Sequence, residues 1–233
     1  MKPIQTTGII LGALLSWGGV GVWVEPTIAV DSSKQQLVVA NDEQQNVQQL
    51  FVQGLEKNQR GDYQGAIADF DRVTELDPRY LEAYCNRGMA HFGLGNYQQA
   101  MAEFDLALKI DPHHADAVNS KGIVFAEQGN LNQALAEFNR ALEFNSQFVD
   151  AYYNRGKARS ELGNHQAAIA DYNHAIELDP TLAEAYGNRG FIRAQLGNKQ
   201  QGLQDLQQAA KLFLDAGNLA GYQQTQTYID MIQ

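Results

Sequence analysis

The chain has 233 residues, with 27 acidic against 17 basic side chains and a formal net charge of −10. An acidic chain lacks the basic face that a phosphate-backbone binder needs, so nucleic acid is not an expected partner. A single cysteine, Cys85, excludes an intramolecular disulfide and leaves cysteine usage silent about the redox compartment.

At the N-terminus, Lys2 precedes an apolar run from Gly8 to Val24, 17 residues long with five glycines. The run is short for a membrane span of about 20 residues, and its glycines weaken it as a helix. Residues 1–29 read as a signal peptide, with Thr27-Ile28-Ala29 a loose match to a small-residue cleavage site, or else as an uncleaved membrane anchor. In both readings the leading positive charge stays inside. The rest of the chain is then expected outside the cytoplasm, in a periplasm, a lumen or the extracellular space. Membrane contact is expected through this segment alone. Residues 30–46 turn polar without a sustained period and are expected to be a flexible linker.

From Val47 the sequence repeats every 34 residues, in rows 47–80, 81–114, 115–148, 149–182 and 183–216. Position 8 of the row is always glycine (Gly54, Gly88, Gly122, Gly156, Gly190), as is position 15 (Gly61, Gly95, Gly129, Gly163, Gly197). Position 20 is small (Ala66, Ala100, Ala134, Ala168, Gly202), and position 24 is large and apolar (Phe70, Phe104, Phe138, Tyr172, Leu206).

These columns describe two helices and a turn. Glycine at position 15 ends the first helix in a left-handed residue. Asp62, Asn96, Asn130, Asn164 and Asn198 follow it and can cap the second helix. Pro78, Pro112 and Pro180 at position 32 stop the second helix, with Ser146 and Leu214 departing from the pattern. Glycine at position 8 costs a helix about 1 kcal/mol, a cost offset if the partner helix approaches closely at the small position 20. Helices this short are marginal alone, so stability must come from stacking row on row. Beyond the last row, residues 217–233 place Leu219, Tyr222, Ile229 and Ile232 at helical spacing opposite Gln223, Gln224 and Gln226. That pattern predicts a capping helix over the open end of the stack.

With its 34-residue period and its small and large columns, the pattern resembles the tetratricopeptide repeat (TPR) family. The resemblance implies an all-α, right-handed α-solenoid of five helix-turn-helix units plus the capping helix. It also implies a protein-binding scaffold without cofactor. One column pair departs from the family. Position 7, commonly leucine there, is Arg87, Lys121, Arg155 and Arg189, and position 23 is Asp69, Glu103, Glu137, Asp171 and Asp205. A ladder of base–acid pairs between helices is expected, structural in role because it recurs at the period of the fold.

No catalytic or metal constellation stands out. His113 and His114 are adjacent in a turn and lack a third ligand, His165 occupies a packing position, and Cys85 has no histidine–acid partner. An enzyme is therefore not expected, and binding remains. In the family the first helices line a concave groove, through positions 2, 5, 6, 9, 12 and 13. Those positions bring Asn86, Met89, Phe92, Asn119, Ser120, Ile123, Tyr153, Asn154, Lys157, Asn188 and Phe191 to the groove. Asparagine offers both a donor and an acceptor to a peptide backbone. Position 2 is acidic in four rows (Glu82, Asp116, Asp150, Glu184), which favours basic or neutral partner segments. Clamping of a C-terminal carboxylate needs basic groove residues, whereas Cys85, Met89, Asn119 and Ile123 stand at those positions. The expected partner is a protein or peptide, in the assembly of an envelope or lumenal complex. The alternative is a module that self-associates through its terminal faces.

Overall fold

The computed structural model describes residues 32–232, with side chains from residue 44. The signal or anchor expected over 1–29 lies outside the described residues. No helix among those described is long and apolar enough to cross a membrane. All regular structure described is helical: α1 (Ser32–Gln59), α2 (Tyr63–Leu76), α3 (Leu81–Gly93), α4 (Tyr97–Ile110), α5 (Ala115–Glu127), α6 (Leu131–Phe144), α7 (Val149–Glu161), α8 (His165–Leu178), α9 (Ala183–Gln195), α10 (Lys199–Asp215) and α11 (Leu219–Ile232). Each 34-residue row is one helix pair, from α1 and α2 to α9 and α10, and each second helix packs on the first helix of the next row.

The linker expected over 30–46 is corrected from Ser32 onward, where α1 begins. Between Ser32 and Gln53 there is neither glycine nor proline, and glutamine, leucine, alanine and glutamate all favour a helix. The polar composition that suggested a linker suits a helix as well.

Turn chemistry follows the sequence in one place and departs from it in two. Glycine at position 15 takes φ from 75° to 89° in every row, the left-handed conformation that ends the first helix. Of the five residues that follow, only Asp62 caps with its side chain, accepting from the Gly65 N–H at 3.0 Å. The four asparagines make no side-chain cap to the second helix; like Asp62, they close the C-terminus of the first helix through the backbone. Each donates its N–H back to the first helix, as Asn96 does to the His91 carbonyl at 2.9 Å and Asn130 to Phe125 at 2.8 Å. The turn between rows depends less on proline than on the residue before it. Asp77, Asp111, Asn145 and Asp179 each accept from the backbone N–H two residues on, at 2.8–3.0 Å. Such a side-chain turn persists in the third row, where Ser146 replaces proline. At Asp179 the bonds from the Thr181 hydroxyl and N–H hold the carboxyl below its ordinary value.

Glycine at position 8 makes room for a different group than expected. A Cβ on Gly54, Gly88, Gly122 or Gly156 would lie 2.5–2.8 Å from the ring of Phe70, Phe104, Phe138 or Tyr172, the large residue at position 24. These rings are almost fully buried, at 0–1% exposure. The fifth row solves the same problem differently. Leu206 replaces the ring, and Gly190 and Gly202 bring the two backbones together, a Cβ on Gly202 falling 2.7 Å from the Gly190 carbonyl oxygen. Gly202→Ala would restore the residue type of the other four rows and add helix propensity worth about 1 kcal/mol. It is nevertheless expected to lower the melting temperature, because backbone cannot yield as a side-chain tip can. Thermal unfolding followed by circular dichroism checks this, and a raised melting temperature would refute the close approach.

At the far end α11 covers the stack. Ile229 is buried, and Tyr222, Tyr228 and Ile232 pack with it against Leu203, Leu206 and Ala210 of α10. Leu219, expected on this face, is 60% exposed because it opens the helix one residue after the turn at Gly217-Asn218. Asn218 caps α11 by accepting from the Gly221 N–H at 2.9 Å.

Candidate functional site

The charge ladder lies between the helices, and it is wider than a column of pairs. Arg87, Arg155 and Arg189 each bond the acid at position 23 of their own row, Glu103, Asp171 and Asp205, at 2.6–2.7 Å. Each also reaches back to position 25 of the row before: Arg87 to Asp71, Arg155 to Asn139 and Arg189 to Asn173. One guanidinium therefore ties two successive second helices together. Position 4 adds a ring beneath each cation, with Tyr84, Tyr152 and Tyr186 5.2–5.4 Å from the guanidinium carbons. Burial works against the charge on Arg87, but its bonds to Glu103 and Asp71 outweigh that and raise its pKa.

Two rungs differ from expectation. Lys121 pairs with Asp105 of the preceding row at 2.7 Å, and Glu137 pairs with Arg140 on its own helix. An ammonium is a point charge on one stem and cannot span two helices as the arginine fork does. Gln53 leaves Asp69 without a position 7 base, and Lys57 at position 11 supplies the cation at 2.5 Å. Position 11 is a base that the two-column pattern does not include. Arg159 and Arg193 also stand there, each 2.8 Å from the acid of its row, Asp171 or Asp205. The signal was present as Lys57, Arg159 and Arg193 in one column, broken by His91 and Phe125.

Cavities open along the first helices. A cavity of about 380 Å³ lies among α3, α5 and α7, lined by Asn86, Met89, Asn119, Ser120 and Ile123 together with Glu82, Asp116 and Asp150. A second of about 380 Å³ lies between α7, α9 and α11, lined by Tyr153, Asn188 and Phe191 with Glu184, Phe213, Gln224 and Tyr228. Smaller cavities of about 190 and 160 Å³ lie between them and share Lys157. Ten of the eleven predicted groove residues thus line one cavity or another. Phe92 does not. It packs on Tyr97, ring centroids 5.8 Å apart, beside Ala100, Phe104 and Val124. The capping helix was not foreseen as part of the groove, yet Tyr228 stacks on Phe191 at 5.0 Å and forms its end wall.

The asparagines are only partly free. Asn154 donates to the Asn119 side chain and Asn188 to the Tyr153 hydroxyl, both at 3.3 Å, so positions 5 and 6 link successive rows. Asn86 donates to the Glu82 carbonyl of its own helix. Burial, ahead of the nearby Glu184 charge, raises the Tyr153 pKa despite that bond.

Elsewhere the chemistry is modest. His113 stacks edge-on against Phe144, and His114 caps α5 by accepting from the Ala117 N–H at 3.3 Å, which requires Nδ1 unprotonated. His165 is half-buried at the start of α8. Among the described residues no group of three histidine, cysteine or carboxylate side chains could hold a metal.

Models of the tetratricopeptide repeat match residues 51–115, 149–182 and 183–215, and a TPR repeat model matches 122–163. No curated protein is similar enough in sequence to match. Among solved structures, the chain is similar to the thermophilic TPR protein TTC0263 of Thermus thermophilus, with a TM-score of 0.68 at 18% identity over 78% of this chain and 98% of that one. It is also similar to MamA, with a TM-score of 0.58 at 24% identity over 70% and 96%. YrrB, a TPR protein with an unusual peptide-binding site, gives 0.52 at 23% identity over 78% and 92%. These likenesses are of fold, and with the repeat models spanning most of the chain they make it a member of the tetratricopeptide repeat family.

Proposed function

We propose that the chain is a non-enzymatic scaffold that holds an extended segment of a partner protein along its first helices. The observation that carries this reading is the pair of cavities of about 380 Å³ on that face, where apolar walls stand beside amide and hydroxyl groups. Extended peptides need both: pockets for alternate side chains and partners for their backbone. YrrB, whose peptide-binding site is described as unusual, offers an analogy at the level of the fold. The N-terminal charge and apolar run favour a place outside the cytoplasm, in assembling an envelope or lumenal complex.

A displayed library of random octapeptides tests the groove. The chain is expected to retain a related set of peptides, and Asn154→Ala/Phe191→Ala to weaken them at least tenfold with the circular dichroism spectrum unchanged. No retained set, or one indifferent to the substitutions, overturns the reading. Self-association is the competing reading, favoured by Leu219 and Met231, 60% and 75% exposed on α11. Light scattering distinguishes it as a concentration-dependent oligomer that the groove substitutions leave intact. Export is tested by fusing residues 1–46 to an alkaline phosphatase that folds only outside the cytoplasm; an inactive fusion refutes it.

A further inference from the structure

The fifth row breaks the repeat at two positions that meet in one cavity. Position 31 is the acid or amide of the turn in the other rows (Asp77, Asp111, Asn145, Asp179), but here it is Phe213, on a second helix that runs on to Asp215. Position 5, elsewhere Phe51, Cys85, Asn119 and Tyr153, is Gly187. A Cβ on Gly187 would meet only the Ala209 methyl, at 3.8 Å, so the space beside it is open. Both residues line the cavity of about 380 Å³ between α7, α9 and α11.

Four helices each bring one aromatic ring to this cavity: Tyr153 from α7, Phe191 from α9, Phe213 from α10 and Tyr228 from α11. Tyr228 packs on Phe191, and α11 comes so close to Phe213 at Gly221 that a Cβ there would lie 2.7 Å from the ring. Glu184 is the one charged residue of the lining, and it makes no ion pair among the described residues. The amides beside it turn their nitrogens to tyrosine hydroxyls, Asn188 to Tyr153 and Gln224 to Tyr228, each at 3.3 Å. Thr225 donates to the Gly221 carbonyl. The Glu184 carboxylate and the amide oxygens of Asn188 and Gln224 are left as acceptors to which no group among the described residues donates.

Rings, acceptors and a single negative charge, with no lysine, arginine or histidine among them, suit a cation. A purely apolar side chain would fill the space between the rings but strip water from the carboxylate and the amide oxygens without replacing it. A guanidinium meets both demands. It is planar and stacks on aromatic faces, and its five N–H donors can reach several acceptors at once. An ammonium is a more strongly hydrated point charge and serves fewer of them. The adjoining cavity shares Asn188 and Phe191 but contains Lys157, so a cation is drawn to this end of the face and not to that one.

We infer that this cavity receives an arginine side chain of the partner segment, its guanidinium among the rings of Tyr153, Phe191, Phe213 and Tyr228 and paired with Glu184. The inference rests on the groove reading and adds the chemistry of the partner. Gly187 is what admits the arginine, because any side chain at position 5 of this row takes up the open space.

Octapeptides retained from the random library by the full chain supply the probe, and they are expected to share an arginine at one register. Replacing it by citrulline, which keeps the planar shape and removes the charge, should weaken binding at least tenfold. Lysine, which keeps the charge without the fork, should also bind more weakly. Gly187→Leu fills the cavity and Glu184→Gln removes its charge; each should weaken the arginine peptides at least tenfold and erase their advantage over the citrulline ones. Leucine favours a helix over glycine, so α9 is not expected to suffer, and circular dichroism checks that it does not. The peptide substitutions leave the protein untouched, so their effect is independent of how the variants fold. Retained peptides without an arginine register, or citrulline or lysine peptides bound as tightly as arginine ones, would overturn the inference and leave the groove reading standing. An arginine preference that survives both protein substitutions would do the same, because that arginine then sits elsewhere. If the library yields no peptide at all, both fall.

Discussion

Asp171→Leu is expected to lower the unfolding free energy by roughly 3–5 kcal/mol, the cost of leaving buried charge uncompensated. Asp171 is 1% exposed. Arg155 reaches it through Nε and Nη2, as close as 2.6 Å, and Arg159 through Nη1 at 2.8 Å. Their side chains are only 15% and 26% exposed, so the two guanidiniums are left facing each other with Asn139 as the remaining partner of Arg155. Arg155→Met alone removes less, because Arg159 still neutralises the acid; a loss of about 1–2 kcal/mol is expected from the bonds given up. The triple change Arg155→Met/Arg159→Met/Asp171→Leu should recover most of the stability, since apolar groups can replace a buried ion cluster with little loss. Urea unfolding of the four proteins decides the matter. If Asp171→Leu unfolds within about 0.5 kcal/mol of wild type, the range of an inconsequential surface change, the cluster carries no stability.

How far the sequence reaches depends on whether a residue's reason is local. Glycine at position 15 is explained by the turn it makes, and φ near 77° at Gly163 bears that out. The ladder was legible as two columns of opposite charge, but its wiring was not. That Lys121 turns to Asp105 and that Lys57 stands in for Gln53 depend on where neighbouring second helices lie. The residues that line the cavities along the first helices were legible for the same reason as the ladder, because a 34-residue period maps one column to one face. What the period could not show is the use of Asn154 to hold Asn119, or the arrival of Tyr228 from outside the repeats to finish the wall. The linker failed because composition alone does not separate a solvated helix from a coil.

Glycine at position 8 exposes the same limit, and its test gives the second large effect. Gly122→Ala should gain about 1 kcal/mol in helix propensity if only the backbone mattered. Against this, the added Cβ would lie 2.5 Å from Cε1 and 2.7 Å from Cδ1 of Phe138. The ring is 1% exposed and packed with Ala134, Ala158 and Leu135, so its only room to shift is toward the cavity of about 190 Å³ that it borders. Overpacking of this kind costs about 1–3 kcal/mol, and Gly122→Val, with a larger branched side chain, should reach or exceed the upper end. The net expectation is a lower unfolding midpoint for alanine and a much lower one for valine. The double variant Gly122→Ala/Phe138→Leu separates the clash from any intrinsic demand for glycine. Leucine is shorter than phenylalanine and loses the ring edge that meets the new methyl. The two changes together should therefore cost less than their sum, by at least about 0.5 kcal/mol, the threshold for coupling between contacting residues. Strict additivity, or an alanine variant more stable than wild type, would mean that the glycine column serves something other than the ring.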